Sequence, residues 1–290
     1  VRTDADARAA PAHRPGRRPL ERAASDRRIA QAGRIALGFL AAAIYVFLLL
    51  PVLIVVVASF SPDRSSSYAL SQASLTWYRE FLDSSSFLSA FRFSVWLAAV
   101  SAAIATLIGF ITAYGLVRLV SRGRNLLQAL AMLPMMVPHI LISISLLLLV
   151  TQFPVPEIAM LIIGHVLICL PFTLAGILAS LTAVDPDLEA AAWTLGAPRW
   201  RVLLEITAPL VAPGVLSALI FAFIVSFGDV YIALFLSGPG ITTLPVEIFS
   251  FVQWESSPVI AAITTVQIVL IIVFGLVVEK LVGLRTAMRI

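Results

Sequence analysis

Six apolar stretches, each long enough to cross a bilayer, restrict this chain more than any other feature of its sequence. A hydrocarbon core of roughly 30 Å takes about 20 helical residues. Ile35–Phe60, Phe93–Val117, Leu126–Val150, Ile158–Leu181, Leu210–Leu236 and Pro258–Val282 all reach that length. Inside lipid, backbone N–H and C=O groups have to bond within their own segment, so the expected fold is an all-α membrane protein with six transmembrane helices. Composition leaves little room for another class: 60% hydrophobic and 12% charged residues over 290 positions cannot coat a water-soluble globule.

Arginine and lysine, which concentrate in cytoplasmic loops, set the expected orientation. Nine arginines lie between Arg2 and Arg34, Arg118, Arg122 and Arg124 follow the second stretch, and Lys280, Arg285 and Arg289 close the chain. The segments after the third and fifth stretches hold no Lys or Arg. N- and C-termini are therefore expected on the cytoplasmic side. Residues 61–92 balance Arg64, Arg79 and Arg92 against Asp63, Glu80 and Asp83, and parity places them outside. Residues 1–34, rich in Arg, Ala and Pro, read as a disordered basic tail, residues 35–282 as the six-span domain and 283–290 as a short cytoplasmic tail.

Other readings of the same features fare worse. A pI near 9.7 raises nucleic acid as a partner, but nine of the 20 basic residues stand beside the first span, where the lipid bilayer explains them. No nucleic-acid partner is expected. Arg17-Arg18 and Arg27-Arg28 resemble twin-arginine export pairs, yet the apolar stretch behind them is longer than a signal peptide's and no A-x-A site closes it. Cys169 is alone, so it forms no intrachain disulfide. His139, His165 and Cys169 lack a fourth ligand and any H-E-x-x-H pattern, so no metal site is expected. Ser143 and Ser145 lack a G-x-S-x-G elbow, which argues against an intramembrane hydrolase. Trp77, Tyr78, Tyr231 and Trp254 read as interface anchors.

Between the fourth and fifth stretches lies a polar, amphipathic island, DPDLEAAAWTLGAPRWRVLLEITAPL, from Asp185 to Leu210. Asp185 suits an N-cap, Pro186 the first helical position, and Gly196 a left-handed helix end, so residues 186–195 are expected as one short helix. Pro198 opens a second. Trp200, Leu203 and Leu204 give it an apolar stripe, and Pro209 is expected to break it before the next span. Prolines also interrupt the spans at Pro134, Pro138, Pro171 and Pro213.

Glu189-Ala190-Ala191, Leu195-Gly196-Ala197 and Pro209-Leu210 resemble the cytoplasmic EAA loop of ABC-type importer permeases, and six spans with both ends inside fit that family. The resemblance implies a bacterial inner-membrane, non-catalytic translocation subunit that works with an ATP-binding subunit dimer, a second permease subunit in a heterodimer, and an extracytoplasmic solute-binding protein. ATP and Mg would sit on the partner ATPase subunits. The chain itself has no Gly-x-x-x-x-Gly-Lys-Ser/Thr phosphate loop, and no directly bound cofactor is expected. The family's Glu usually stands six residues before the glycine, where this chain has Ala190, and Glu189 stands seven before. One residue turns a helix by about 100°. Contact with the ATPase and stabilisation of the helix dipole both stay open for Glu189. Leu188, Ala191, Ala192 and Leu195 make the expected apolar docking face.

Ser226-Phe227-Gly228-Asp229, the run from Leu236 to Glu247, and Trp254-Glu255 are similar to the second permease of spermidine/putrescine importers, which implies a polyamine. Relatives carrying amino-acid-like solutes or iron remain alternatives, and a secondary transporter is a more distant one. Asp229, Glu247 and Glu255 stand between Phe227 and Pro258 with no basic residue among them, a local charge that favours a cation. An acid in a span is a functional candidate, so Asp229 heads a candidate pathway with Tyr231, Glu247, Trp254 and Glu255. Capping or pairing at the membrane interface is the competing role for Asp229.

Overall fold

The computed structural model describes residues 18–62, 73–120, 122–238, 240–254 and 257–287, with side chains at 18–30, 32, 278–279 and 281–287 outside the described set. Among the described residues every regular element is a helix: α1 (Arg18–Ala58), α2 (Thr76–Asp83), α3 (Ser85–Tyr114), α4 (Arg124–Met136), α5 (His139–Gln152), α6 (Glu157–Thr182), α7 (Pro186–Thr194), α8 (Arg199–Val202), α9 (Ala208–Gly228), α10 (Tyr231–Leu236), α11 (Leu244–Trp254) and α12 (Val259–Ala287). Two π-helical turns, Gly115–Leu119 and Leu203–Thr207, extend α3 and join α8 to α9.

The chain divides into two units, Val1–Ile54 and Val55–Ile290. The first holds most of α1. That helix is unbroken from Arg18, so the expected disordered tail is helical in its second half, where Ala, Arg, Leu and Gln favour helix over coil. Residues 1–17 lie outside the described residues. At the other end α12 continues past the expected limit at 282 to Ala287.

In the second unit α3, α6 and α9 pack together through small side chains. A Cβ on Gly109 would stand 2.5 Å from Thr173 Oγ1, and one on Gly214 would overlap Ser180. Lipid is as apolar as leucine, so helix association rests on such close approach and on internal hydrogen bonds rather than on escape from water. Thr173 supplies one of those bonds, its hydroxyl donating to Ala105 O of α3 at 3.0 Å and to Leu170 O of its own helix at 2.9 Å. Phe87, Leu97, Leu161, Ile168, Phe223, Phe227 and Ile263 fill the larger core, whereas Leu116, Leu174, Ile177, Leu181 and Val211 fill a second one.

Among the described residues five helices are long and apolar enough to cross a membrane, and a sixth span would require joining α4 to α5 across a 95° bend. The third apolar stretch is thus not one straight helix but two, α4 and α5, meeting at a sharp bend. Val137 is extended (φ −92°, ψ 129°) because the ring of Pro138 excludes the helical conformation before it. The fifth stretch also breaks, at Asp229 and Val230 between α9 and α10. Pro209 does the reverse of what its type suggests. The helix runs through it from Arg199 to Gly228, because the preceding π turn has already shifted the bonding, Ala208 N donating to Leu203 O, and Pro209 falls in the first turn of α9, where a missing donor costs little.

Residues 61–92, read from sequence as an outer loop, contain α2. Trp77 is buried, donating its ring N–H to Ser61 O at 2.7 Å, and Tyr78 shares a 2.7 Å hydrogen bond with Ser59. Both rings fasten the segment to the core, which differs from an anchoring role in lipid headgroups.

Candidate functional site

The island folds as a helix pair. Asp185 caps α7 by accepting from Asp187 N at 2.9 Å, and Pro186 occupies the first position. The helix ends with Gly196 N donating to Trp193 O (3.0 Å) and Ala197 N to Ala192 O (3.1 Å), the two bonds of a Schellman end. Gly196 has φ +86° with open space where a Cβ would be, so backbone conformation alone demands glycine there. Pro198 then begins α8.

This pair turns an apolar face outward. Leu188, Trp193, Trp200 and Leu204 are exposed, and Leu195 is 89% exposed. Ala190 and Ala191 are exposed as well, Ala197 and Pro209 half-buried, and Ala192 faces inward, so three of the four residues of the expected docking face reach the surface. Arg201 lies over the Trp200 ring and pairs with Glu205 at 3.1 Å, an exposed i,i+4 bridge.

Glu189 does not reach that face. It is 1% exposed, its Oε1 lies 3.1 Å from Arg118 Nε, and it accepts from Thr207 Oγ1 at 2.9 Å. Its carboxylate points into the protein, whereas Ala190, six residues before Gly196, is exposed. Arg118 and Thr207 were not singled out by sequence reasoning. Arg118 read only as one more topology-setting charge, although an arginine at a span end is also the natural counter-ion for an inward acid.

The second site lies where two broken helices meet. Asp229 ends α9, and its Oδ2 accepts from Ile232 N at 2.7 Å, capping α10. Its Oδ1 lies 3.0 Å from Nδ1 of His139, the first residue of α5 after the Pro138 break. The two side chains are 2% and 34% exposed, so the carboxylate is buried and its imidazole partner only partly so. Discontinuous helices with polar groups at the break are how transporters build solute sites inside a bilayer. Below it His165 Nδ1 is 2.8 Å from Ser226 Oγ, with Nε2 buried and unpartnered, and Cys169 Sγ bonds Ala222 O. Among the described residues no three His, Cys, Asp or Glu side chains cluster as a metal site. The remaining pathway candidates do not join Asp229: Tyr231 is half-exposed on α10, Glu247 accepts from the Ser86 hydroxyl, and Trp254 is exposed at the end of α11. Glu255 lies outside the described residues. The sequence signal for His139 was present in the Pro138-His139 pair, but a lone histidine says nothing about which acid it meets.

Residues 105–286 match the family described as binding-protein-dependent transport system inner membrane component. The chain belongs to that family. This permease is 34% identical over 244 residues to the spermidine/putrescine transport system permease protein PotC of Escherichia coli (strain K12), covering 83% of the chain and 91% of the relative. It is also 34% identical over 229 residues to the putrescine transport system permease protein PotI of the same strain, covering 76% and 81%. A bacterial ABC transporter that imports the acidic polysaccharide alginate shares its fold, with a TM-score of 0.70 at 17% identity over 89% of the permease and 97% of the neighbour.

Proposed function

We propose that this permease is one translocation subunit of an ATP-driven polyamine importer. It pairs with a second permease subunit as a heterodimer, its termini face the cytoplasm, and a dimer of ATPase subunits holds the ATP and Mg. An extracytoplasmic binding protein delivers the solute. The observation that carries the reading is the outward apolar face of α7 and α8 around Leu195, a helix pair on a glycine hinge with no lipid-spanning role. Such a face suits the groove of a partner ATPase. Closure of the ATPase dimer would draw two such helix pairs together and rock the bundles from inward- to outward-facing, a switch driven by differential affinity for the two states.

Polyamine is supported by the two relatives, each named as a permease for spermidine/putrescine or putrescine, and by the buried carboxylate at the α9–α10 break. An alkylammonium group finds a counter-charge in Asp229. Co-expression with the ATPase, the second permease and the binding protein, followed by reconstitution, tests this. Uptake of labelled spermidine or putrescine that requires ATP and the binding protein is expected. ATP-driven uptake of an anionic or neutral solute, with none of a polyamine, would overturn the substrate.

A further inference from the structure

Both π turns of the second unit end at one buried carboxylate. The turn Gly115–Leu119 carries Arg118, and the turn Leu203–Thr207 carries Thr207. Glu189 Oε1 is shared by the two, at 3.1 Å from Arg118 Nε and 2.9 Å from Thr207 Oγ1. Arg118 also donates from Nη2 to Val184 O at 3.4 Å, just past the end of α6. One carboxylate and one guanidinium therefore tie together the ends of α3 and α6, the short helix α7 and the start of α9. π turns frequently mark functional positions, because the widened backbone re-aims a side chain.

What makes this more than packing is how little else holds α7. Glu189 and Ala192 are its two buried side chains, and Ala192 offers only a methyl group. Pulling an ion pair apart in a water-poor site leaves an uncompensated charge, so a displaced α7 drags its partners along instead of sliding past them. We propose that Arg118, Glu189 and Thr207 form an internal clamp that transmits movement of α7 into α3 and α9, making Arg118 and Thr207 positioning residues for the transport cycle. The clamp rests on the reading of the α7–α8 face as the ATPase contact.

The test uses the complete reconstituted complex and reads uptake per ATP hydrolysed. Glu189→Gln keeps an acceptor for Thr207 and removes the charge pair. The double variant Arg118→Met/Glu189→Leu removes the pair without stranding a charge. Both are expected to lower uptake per ATP on the order of tenfold, within the range of site-to-site coupling, while copurifying as much ATPase as the wild type. Arg118→Lys keeps the charge and should recover most of the ratio. Unchanged uptake per ATP in both variants, or uptake that falls only in proportion to assembled complex, overturns the clamp. A second readout needs no transport: Thr207→Val should speed amide hydrogen exchange in residues 187–197 together with 203–209. Faster exchange confined to the neighbourhood of position 207 also overturns it. A wild-type complex with no ATP-driven uptake would instead remove the importer reading and leave the exchange data to judge the clamp.

Discussion

Among the described residues of this permease two carboxylates are buried, and their partners differ. Glu189 meets the guanidinium of Arg118, which is charged at every physiological pH and only 12% exposed. Asp229 meets the imidazole of His139, which is 34% exposed. The first pair is largely enclosed and ties backbone segments to each other. The second stands at the junction of two helix breaks, with its basic partner open to the outside of the core. A carboxylate held by a permanent, enclosed cation is suited to structure, and one held by an accessible imidazole is suited to exchange with a solute.

Substitutions at the two ends should separate these roles. The largest effect is expected from Gly196→Asp, which places a charged L-residue at φ +86° in the middle of the proposed contact face. It should reduce ATP-driven uptake to background while membrane insertion, read by protease protection, stays intact. Normal uptake would remove the helix pair from coupling. Next is Arg118→Met, which strands Glu189. Loss of one partner from a buried ion pair costs about 3–5 kcal/mol, seen as a lower unfolding midpoint in detergent, and Glu189→Leu in the same chain should restore most of it. Equal stability of the single and double variants would show that the pair is not effectively buried.

Asp229→Asn should have a smaller, more selective effect. The amide keeps a cap for Ile232 N and loses the counter-charge, so uptake of a cationic solute is expected to fall about tenfold, near 1.4 kcal/mol, with assembly unchanged. Unaltered uptake kinetics would leave Asp229 with its capping role alone. The smallest change belongs to Arg201→Ala, which breaks the exposed pair with Glu205 and the contact with the Trp200 ring, together a loss of about 1 kcal/mol. A larger shift in stability there would mean that this face is enclosed.

The helix pair was legible in the sequence because its signals are local. Asp185, Pro186 and Gly196 each act within one turn, and each occupies the role its chemistry suggests. The spans were legible as lengths of apolar residues, but their continuity was not. Pro138 and Pro209 are the same residue type, yet one breaks a span and the other is absorbed by a π turn that no propensity scale forecasts. The basic partners of Glu189 and Asp229 stand 71 and 90 residues away in the chain. Pairings at that distance come from packing, and a single sequence records only that the charges exist.

The proposed partner contact is the apolar face around Leu195, with Glu189 turned inward as a tether. Single cysteines at the two positions, Leu195→Cys and Glu189→Cys in a Cys169→Ser background, measure it directly by cross-linking to the co-expressed ATPase subunit. Strong cross-linking from Leu195→Cys and none from Glu189→Cys is the expected result. Cross-linking from position 189 without any from 195 would contradict it.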